Sequence, residues 1–153
     1  MTPDIVKSLL RNRFLRSLSD DTLSDLLAGS ELTKFQKGDT LSKQGEPVTS
    51  LMFIVSGGGE ARMEAGASGP DAMELGSLQP GDDIGVLSLV DGSGHSATVT
   101  ALDATEAIQI DIEDVWPHLN TNPTAYRVLA EIAMDRLVTT RRWLQTLTLG
   151  AGN

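Results

Sequence analysis

Several residue types are scarce or absent, and each absence removes a class of protein. The chain of 153 residues has no cysteine, which excludes a disulfide framework and a thiolate metal site. Its two histidines give little support to any other metal centre, so we predict none. The longest strongly apolar run, Leu51–Val55, is far too short to span a membrane. No secretory signal core is evident at the N-terminus, which predicts a cytoplasmic protein.

Basic residues are missing from a long central interval. The chain carries 12 Lys and Arg against 21 Asp and Glu, a net charge of −9. This balance argues against general affinity for nucleic acid or for an anionic membrane surface. No Lys or Arg falls between Met63 and Tyr126, whereas eleven acidic residues do. The local excess of carboxylates disfavours an anionic ligand in that interval.

The chain divides into three sections that together form one domain. Residues 1–30 have apolar positions at helical spacing, with Ser19 as a predicted N-cap and Gly29 as a stop. Residues 31–112 contain β-prone runs between glycine turns, which is typical of a β-sandwich, jelly roll or barrel. Residues 113–149 return to helical periodicity. The predicted strands are Leu32–Phe35, Thr40–Ser42, Ser50–Val55, Glu60–Glu64, Ala72–Leu78, Ala97–Leu102 and Ala107–Ile112.

An apolar stripe follows one face of the long C-terminal helix. Its near-heptad spacing leaves two alternatives: the stripe packs on the chain's own β section, or it forms the seam of a homodimer. The stripe consists of Leu129, Ala133, Leu137, Thr140, Leu144 and Leu147, and the predicted dimer contact centres on Leu129, Ala133, Leu137 and Leu144.

Residues 80–98, "PGDDIGVLSLVDGSGHSAT", have the layout of a backbone cradle for an anion. A glycine turn precedes a short apolar helical turn, which is followed by a second glycine-rich turn and a strand. Such turns present backbone N–H groups to negative charge. However, this 80–98 segment contains three aspartates, one histidine and no Lys or Arg.

The order of the sections and the placement of the glycines resemble the cyclic nucleotide-binding domain family, over roughly residues 12–145. The resemblance rests on Gly38-Asp39, Gln44-Gly45 and the Ile54–Gly57 element in the first strands. It extends to the 80–98 segment, which resembles the family's phosphate-binding cassette. It implies an antiparallel β jelly roll with N-terminal helices and a long C-terminal helix. It also implies a non-catalytic sensor domain whose ligand is cAMP or cGMP, with no cofactor required.

Both charged ligand contacts of the family's cassette are replaced here. Its Phe-Gly-Glu, whose Glu takes the ribose 2′-hydroxyl, corresponds to Ile84-Gly85-Val86, and its phosphate-binding Pro-Arg corresponds to Gly94-His95. The resemblance therefore implies a pocket of Gly85, Val86, Leu87, His95 and Ser96, with Thr140 as a candidate base contact.

Two functions stay open at this point. The first is a regulatory sensor whose ligand binding is weakened, by about 3–6 kcal/mol if both charged contacts are lost. The second is a ligand-free dimerisation or interaction module that keeps only the fold. His95 is either a polar turn residue or a weak phosphate anchor, and nearby acids are expected to favour its protonated form. Nothing in the sequence matches a catalytic motif or a helix-turn-helix, so neither an enzyme nor direct DNA binding is expected.

Overall fold

The computed structural model describes residues 2–64 and 72–151. Within these residues the chain forms six helices and eight strands, in the order predicted from the three sections of the sequence. The helices are α1 (Pro3–Leu9), α2 (Arg13–Arg16), α3 (Asp20–Ala28), α4 (Ser88–Asp91), α5 (Ile112–Leu119) and α6 (Pro123–Ala151). The strands are β1 (Glu31–Phe35), β2 (Thr40–Ser42), β3 (Ser50–Ser56), β4 (Gly59–Glu64), β5 (Ala72–Leu78), β6 (Asp83–Ile84), β7 (Thr98–Ala101) and β8 (Thr105–Asp111).

The strands form two four-stranded antiparallel sheets. One sheet has the order β1-β8-β3-β6 and the other the order β2-β7-β4-β5. Strands distant in sequence lie side by side in both sheets, as in the pairing of Leu32 with Ile108 between β1 and β8. The predicted mainly β fold, an antiparallel jelly roll with flanking helices, is confirmed.

Two apolar clusters hold the layers together. The larger joins the helices to the outer face of the first sheet, where Leu51 and Phe53 of β3 alternate with Met52. Met52 packs against the smaller cluster, which contains Leu41, Ile84, Val99 and Ala101 of both sheets. Opposite faces of one strand therefore serve separate clusters, as the two-residue period of a strand requires.

The helix ends follow the capping chemistry expected from the sequence. The Ser19 hydroxyl accepts a hydrogen bond from the Thr22 backbone N–H at 3.2 Å, which caps α3 as predicted. Gly29 follows α3 with φ of −89°, so it ends the helix without a left-handed conformation. The Asn122 side chain, just before α6, accepts from the Ser19 backbone N–H at 2.9 Å, which ties the two helical sections together.

The stripe of α6 is divided between two environments. Leu129 is only 3% exposed and belongs to the larger apolar cluster of its own chain. It is therefore not available to a homodimer seam, which corrects that part of the sequence expectation. Ala133 is half-buried, whereas Leu137 is 54% exposed and Leu144 is also exposed. The early turns of α6 thus pack on the β section, and the later ones leave it.

Candidate ligand-binding site

The 80–98 segment folds as its glycines require. Strand β6 pairs with β3, after which Gly85 turns the chain with φ of 101°. A Cβ atom at Gly85 would lie 2.9 Å from a methyl of Val48, so both the conformation and the space favour glycine. The single-turn helix α4 follows and ends at Gly92, which has φ of 67°. The chain then returns through Gly94 to β7.

A cavity of about 520 Å³ lies beside this segment, within the usual range of 300–1,000 Å³ for small-ligand sites. The β strands supply one wall, and the helices α2 and α6 contribute another. Lining residues from the 80–98 segment include Gly85, Leu87, Ser88, Gly94, His95 and Ser96. Those from the helices are Arg13, Ile132, Asp135, Arg136 and Thr139.

The structure places the predicted site residues in three different settings. Gly85, Leu87, His95 and Ser96 line the cavity. Val86 is 1% exposed and packs in the larger apolar cluster instead of facing the cavity. Thr140 occurs within the range of α6, but its side chain lies outside the described part of the structure.

The second glycine turn is fixed by backbone pairing. The His95 backbone N–H donates to the Glu46 carbonyl, and the Gly45 N–H donates to the His95 carbonyl, both at 2.9 Å. A Cβ atom at Gly94 would lie 2.8 Å and 2.9 Å from the carbonyl oxygens of Glu46 and Gly45. This close approach explains why glycine stands where the family pattern has proline.

Burial, not charge, dominates the titration of His95. Desolvation lowers the pKa of the imidazole below its ordinary value of 6.5, and the negative charge of Glu46 raises it by less. A nearby acid, Glu46, does favour the protonated form as expected, but burial outweighs it. Near neutral pH the side chain presents a neutral imidazole to the cavity, which is a weaker partner for phosphate than a guanidinium.

Two aspartates on the cavity wall are already engaged. Asp82 accepts a hydrogen bond from the Gln79 backbone N–H at 2.8 Å. Asp83 accepts one from the Asn12 side-chain amide at 2.9 Å. Burial raises the pKa of the Asp83 carboxyl, whereas its bonds from Asn12 and from the Val86 backbone lower it by less. The surroundings of Asp83 thus disfavour its ionised form relative to a carboxyl group in water.

Two arginines that the sequence patterns did not single out reach the cavity from the helices. Arg13 of α2 bonds Asp135 at 2.8 Å and Glu131 at 3.5 Å, so it links α2 to α6. Arg136 of α6 donates from Nη2 to the Ser96 hydroxyl at 3.1 Å. A signal for the α6 wall exists in the sequence, because Ile132, Arg136 and Thr139 share one helical face. The apolar stripe of the same helix is the stronger pattern in the sequence and masks this face.

Comparison with known proteins defines the family. The cyclic nucleotide-binding domain model matches residues 32–122, which is more than half of the chain. The chain belongs to the cyclic nucleotide-binding domain family. Its cavity lies against the segment that resembles the phosphate-binding cassette of this family.

Relatives of this cyclic nucleotide-binding domain have varied functions. Glutaminase 1 of Bradyrhizobium diazoefficiens is 28% identical over 144 residues, which cover 92% of this chain and 22% of that protein. A CRP-like cAMP-activated global transcriptional regulator of Mycobacterium tuberculosis is 24% identical over 141 residues, covering 91% of this chain and 61% of the regulator. The catabolite activator protein of Thermus thermophilus has a TM-score of 0.76 at 23% identity, covering 90% of this chain and 63% of that one.

The cyclic nucleotide-binding domain spans less than two thirds of each of these three proteins. No helix within residues 2–64 and 72–151 has the length and hydropathy needed to cross a bilayer. The same described residues contain no cluster of three His, Asp or Glu side chains suited to a metal ion.

Proposed function

We propose that this domain is a non-catalytic regulatory module that binds a cyclic nucleotide, cAMP or cGMP, with weakened affinity, and that it acts through α6. The observation that carries the proposal is the cavity of about 520 Å³ between the 80–98 segment and α6, with Ser96 and Arg136 in contact across it. A ligand in this space touches both walls, so its binding changes the contacts that hold α6 against the segment. The regulator of Mycobacterium tuberculosis, which is described as cAMP-activated, supports a cyclic nucleotide as the ligand.

Weakened affinity follows from the side chains at the cassette positions. The family's Arg corresponds to the half-buried, neutral His95, and its Glu corresponds to Val86, which packs in the core. Charge-assisted hydrogen bonds contribute roughly 1.5–3 kcal/mol each, so the loss of two costs about 3–6 kcal/mol. This corresponds to roughly two to four decades in the dissociation constant.

Calorimetric titration with cAMP and with cGMP tests this function. We expect saturable binding with a dissociation constant well above micromolar at pH 8, and little change at pH 7, because His95 takes up a proton only at lower pH. Sub-micromolar binding at pH 8 would contradict the weakened site. If neither nucleotide binds at millimolar concentration, the sensor function fails for both ligands.

The alternative function, a ligand-free dimerisation module, is supported by the later turns of α6. Met134, Leu137 and Val138 are exposed there, which is unfavourable for a face that stays in water. We expect light scattering to give a dimer mass, and Leu137→Asp to give a monomer. A monomer mass for the unchanged chain would remove this alternative. The matched control is Arg127→Ala, which alters a charged residue on the same helix.

The remaining functional assignments are also proposals. We propose that the domain does not itself catalyse a reaction, although one relative is a glutaminase. We further propose a cytoplasmic location and no direct binding of nucleic acid or membrane by this domain, consistent with its net charge of −9.

A further inference from the structure

The backbone of the 80–98 segment has fewer donors to offer an anion than its sequence suggests. The Ser88, Leu89 and Val90 backbone N–H groups donate to carbonyls of the same turn, at 3.0–3.1 Å. The Ser88 hydroxyl donates to the Gly85 carbonyl at 2.8 Å. The His95 N–H is paired with Glu46. These donors are already engaged within the protein, so a side chain that supplies positive charge would strengthen anion binding in the cavity.

Among the described lining residues, the two arginines differ in whether carboxylates compensate their positive charge. The Arg13 guanidinium contacts two carboxylates, those of Asp135 and Glu131, which compensate its charge. Arg136 donates to the uncharged hydroxyl of Ser96, and this contact leaves its positive charge uncompensated. A guanidinium has five N–H donors in a planar fork, and one bond to a hydroxyl uses only one of them.

The Arg136–Ser96 contact also arranges two donors side by side. The Ser96 hydroxyl accepts from Arg136 and can donate its own proton to another acceptor. A phosphate oxygen beside this pair would accept from both groups. Across the cavity, one oxygen of Asp82 accepts from the Gln79 backbone and one oxygen of Asp83 accepts from Asn12.

We infer that Arg136, together with the Ser96 hydroxyl, is the anion anchor of this cavity and binds the phosphate of the cyclic nucleotide from the helical wall. The inference rests on the proposed function and adds to it the residue that supplies the positive charge. Because Arg136 belongs to α6, phosphate binding acts on this helix directly. The 80–98 segment then needs no arginine of its own to bind the phosphate.

Calorimetric titration of the full chain with cAMP tests the anchor. We expect Arg136→Ala to weaken cAMP binding by about tenfold or more and to reduce its dependence on salt concentration. Arg136→Lys should retain part of the affinity, since it keeps the charge but not the planar fork. The control is Arg127→Ala, because Arg127 is an exposed arginine of α6 that pairs with Glu131 at 3.4 Å. Equal cAMP affinity for Arg136→Ala and the unchanged chain overturns the inference and leaves the proposed function intact.

A second measurement covers the case in which neither cyclic nucleotide binds. Inorganic phosphate is titrated into the unchanged chain and into Arg136→Ala while the Ser96 amide signal is followed by NMR. A saturable shift that Arg136→Ala abolishes supports the anchor even though the proposed nucleotide function has failed. No shift in the unchanged chain, or an equal shift in the variant, overturns the anchor.

Discussion

Asn12 joins the N-terminal helices to the ligand-binding segment, so its removal should destabilise the domain measurably. Its side chain is 6% exposed and makes three hydrogen bonds. The amide group donates to the Gly81 carbonyl at 3.0 Å and to the Asp83 carboxylate at 2.9 Å. The side-chain oxygen accepts from the Leu15 backbone N–H at 3.2 Å, which caps α2.

The expected cost of Asn12→Ala follows from these contacts. Loss of an N-cap side chain costs about 0.5–2 kcal/mol. Leaving a buried acceptor unsatisfied costs about 1–3 kcal/mol. Because the Asp83 side chain is partly exposed, we take the total as about 2–4 kcal/mol, which lowers Tm by about 4–16 °C for a domain of this size. Thermal and urea unfolding give the value directly.

Two further variants separate the N-cap contribution of Asn12 from its hydrogen bonds to the 80–98 segment. Thr2→Ala removes the N-cap of α1, whose hydrogen bond of 3.4 Å to Ile5 is exposed, and should cost under about 1 kcal/mol. Asn12→Asp keeps a capping oxygen but loses both amide donors and adds a carboxylate beside Asp83. We expect it to be no more stable than Asn12→Ala near neutral pH. If Asn12→Ala changes the free energy of unfolding by less than about 0.5 kcal/mol, the argument from burial and hydrogen bonding is refuted.

Three other predictions follow from the cavity wall. Because the folded-state pKa of Asp83 is raised above 3.8, its ionisation destabilises the fold as pH rises through that range. Asp83→Asn should therefore gain in urea midpoint over the unchanged chain from pH 4 upward, and a gain independent of pH would contradict this. Gly94→Ala should lower the free energy of unfolding by about 1–3 kcal/mol, because the added Cβ meets two carbonyl oxygens. Gly29→Ala, whose Cβ would have 3.8 Å of clearance, should lower it clearly less. Equal losses for the two variants would refute the steric argument. His95→Arg should strengthen cAMP binding by about tenfold or more in calorimetry, and no gain would show that residue 95 does not reach the phosphate.

Local patterns were sufficient to predict most of the fold. Strand β2 has the predicted bounds, and β5 matches over Ala72–Leu78. Strand β6 was missed because it has only two residues and exists through pairing with β3, a contact that no local pattern records. Ile112 was predicted to end a strand, since it continues the alternation of Ile108 and Ile110, but it begins α5 instead. The partly buried side chain of Ile112 fits both the end of a strand and the start of a helix, so the alternation could not distinguish the two.

The sequence located one wall of the candidate site and missed the other. Glycine spacing identified the 80–98 segment, because positive φ at Gly85 and Gly92 leaves few alternatives to glycine. The helical wall depends on how α2 and α6 pack, and the Arg13–Asp135 pair joins residues far apart in the chain. Such proximity is a tertiary property, which the absence of Lys and Arg between Met63 and Tyr126 does not reveal.

Val86 shows why a position in a pattern does not fix the direction of a side chain. A glutamate at this position must reach solvent or a ligand, because burial of its charge in an apolar cluster is costly. Valine has the opposite requirement, and the side chain packs at 1% exposure in the cluster formed with the helices. The replacement therefore exchanges a ligand contact for a core contact. Reversing it would remove this core contact, so affinity is better sought at His95 and Arg136, which line the cavity.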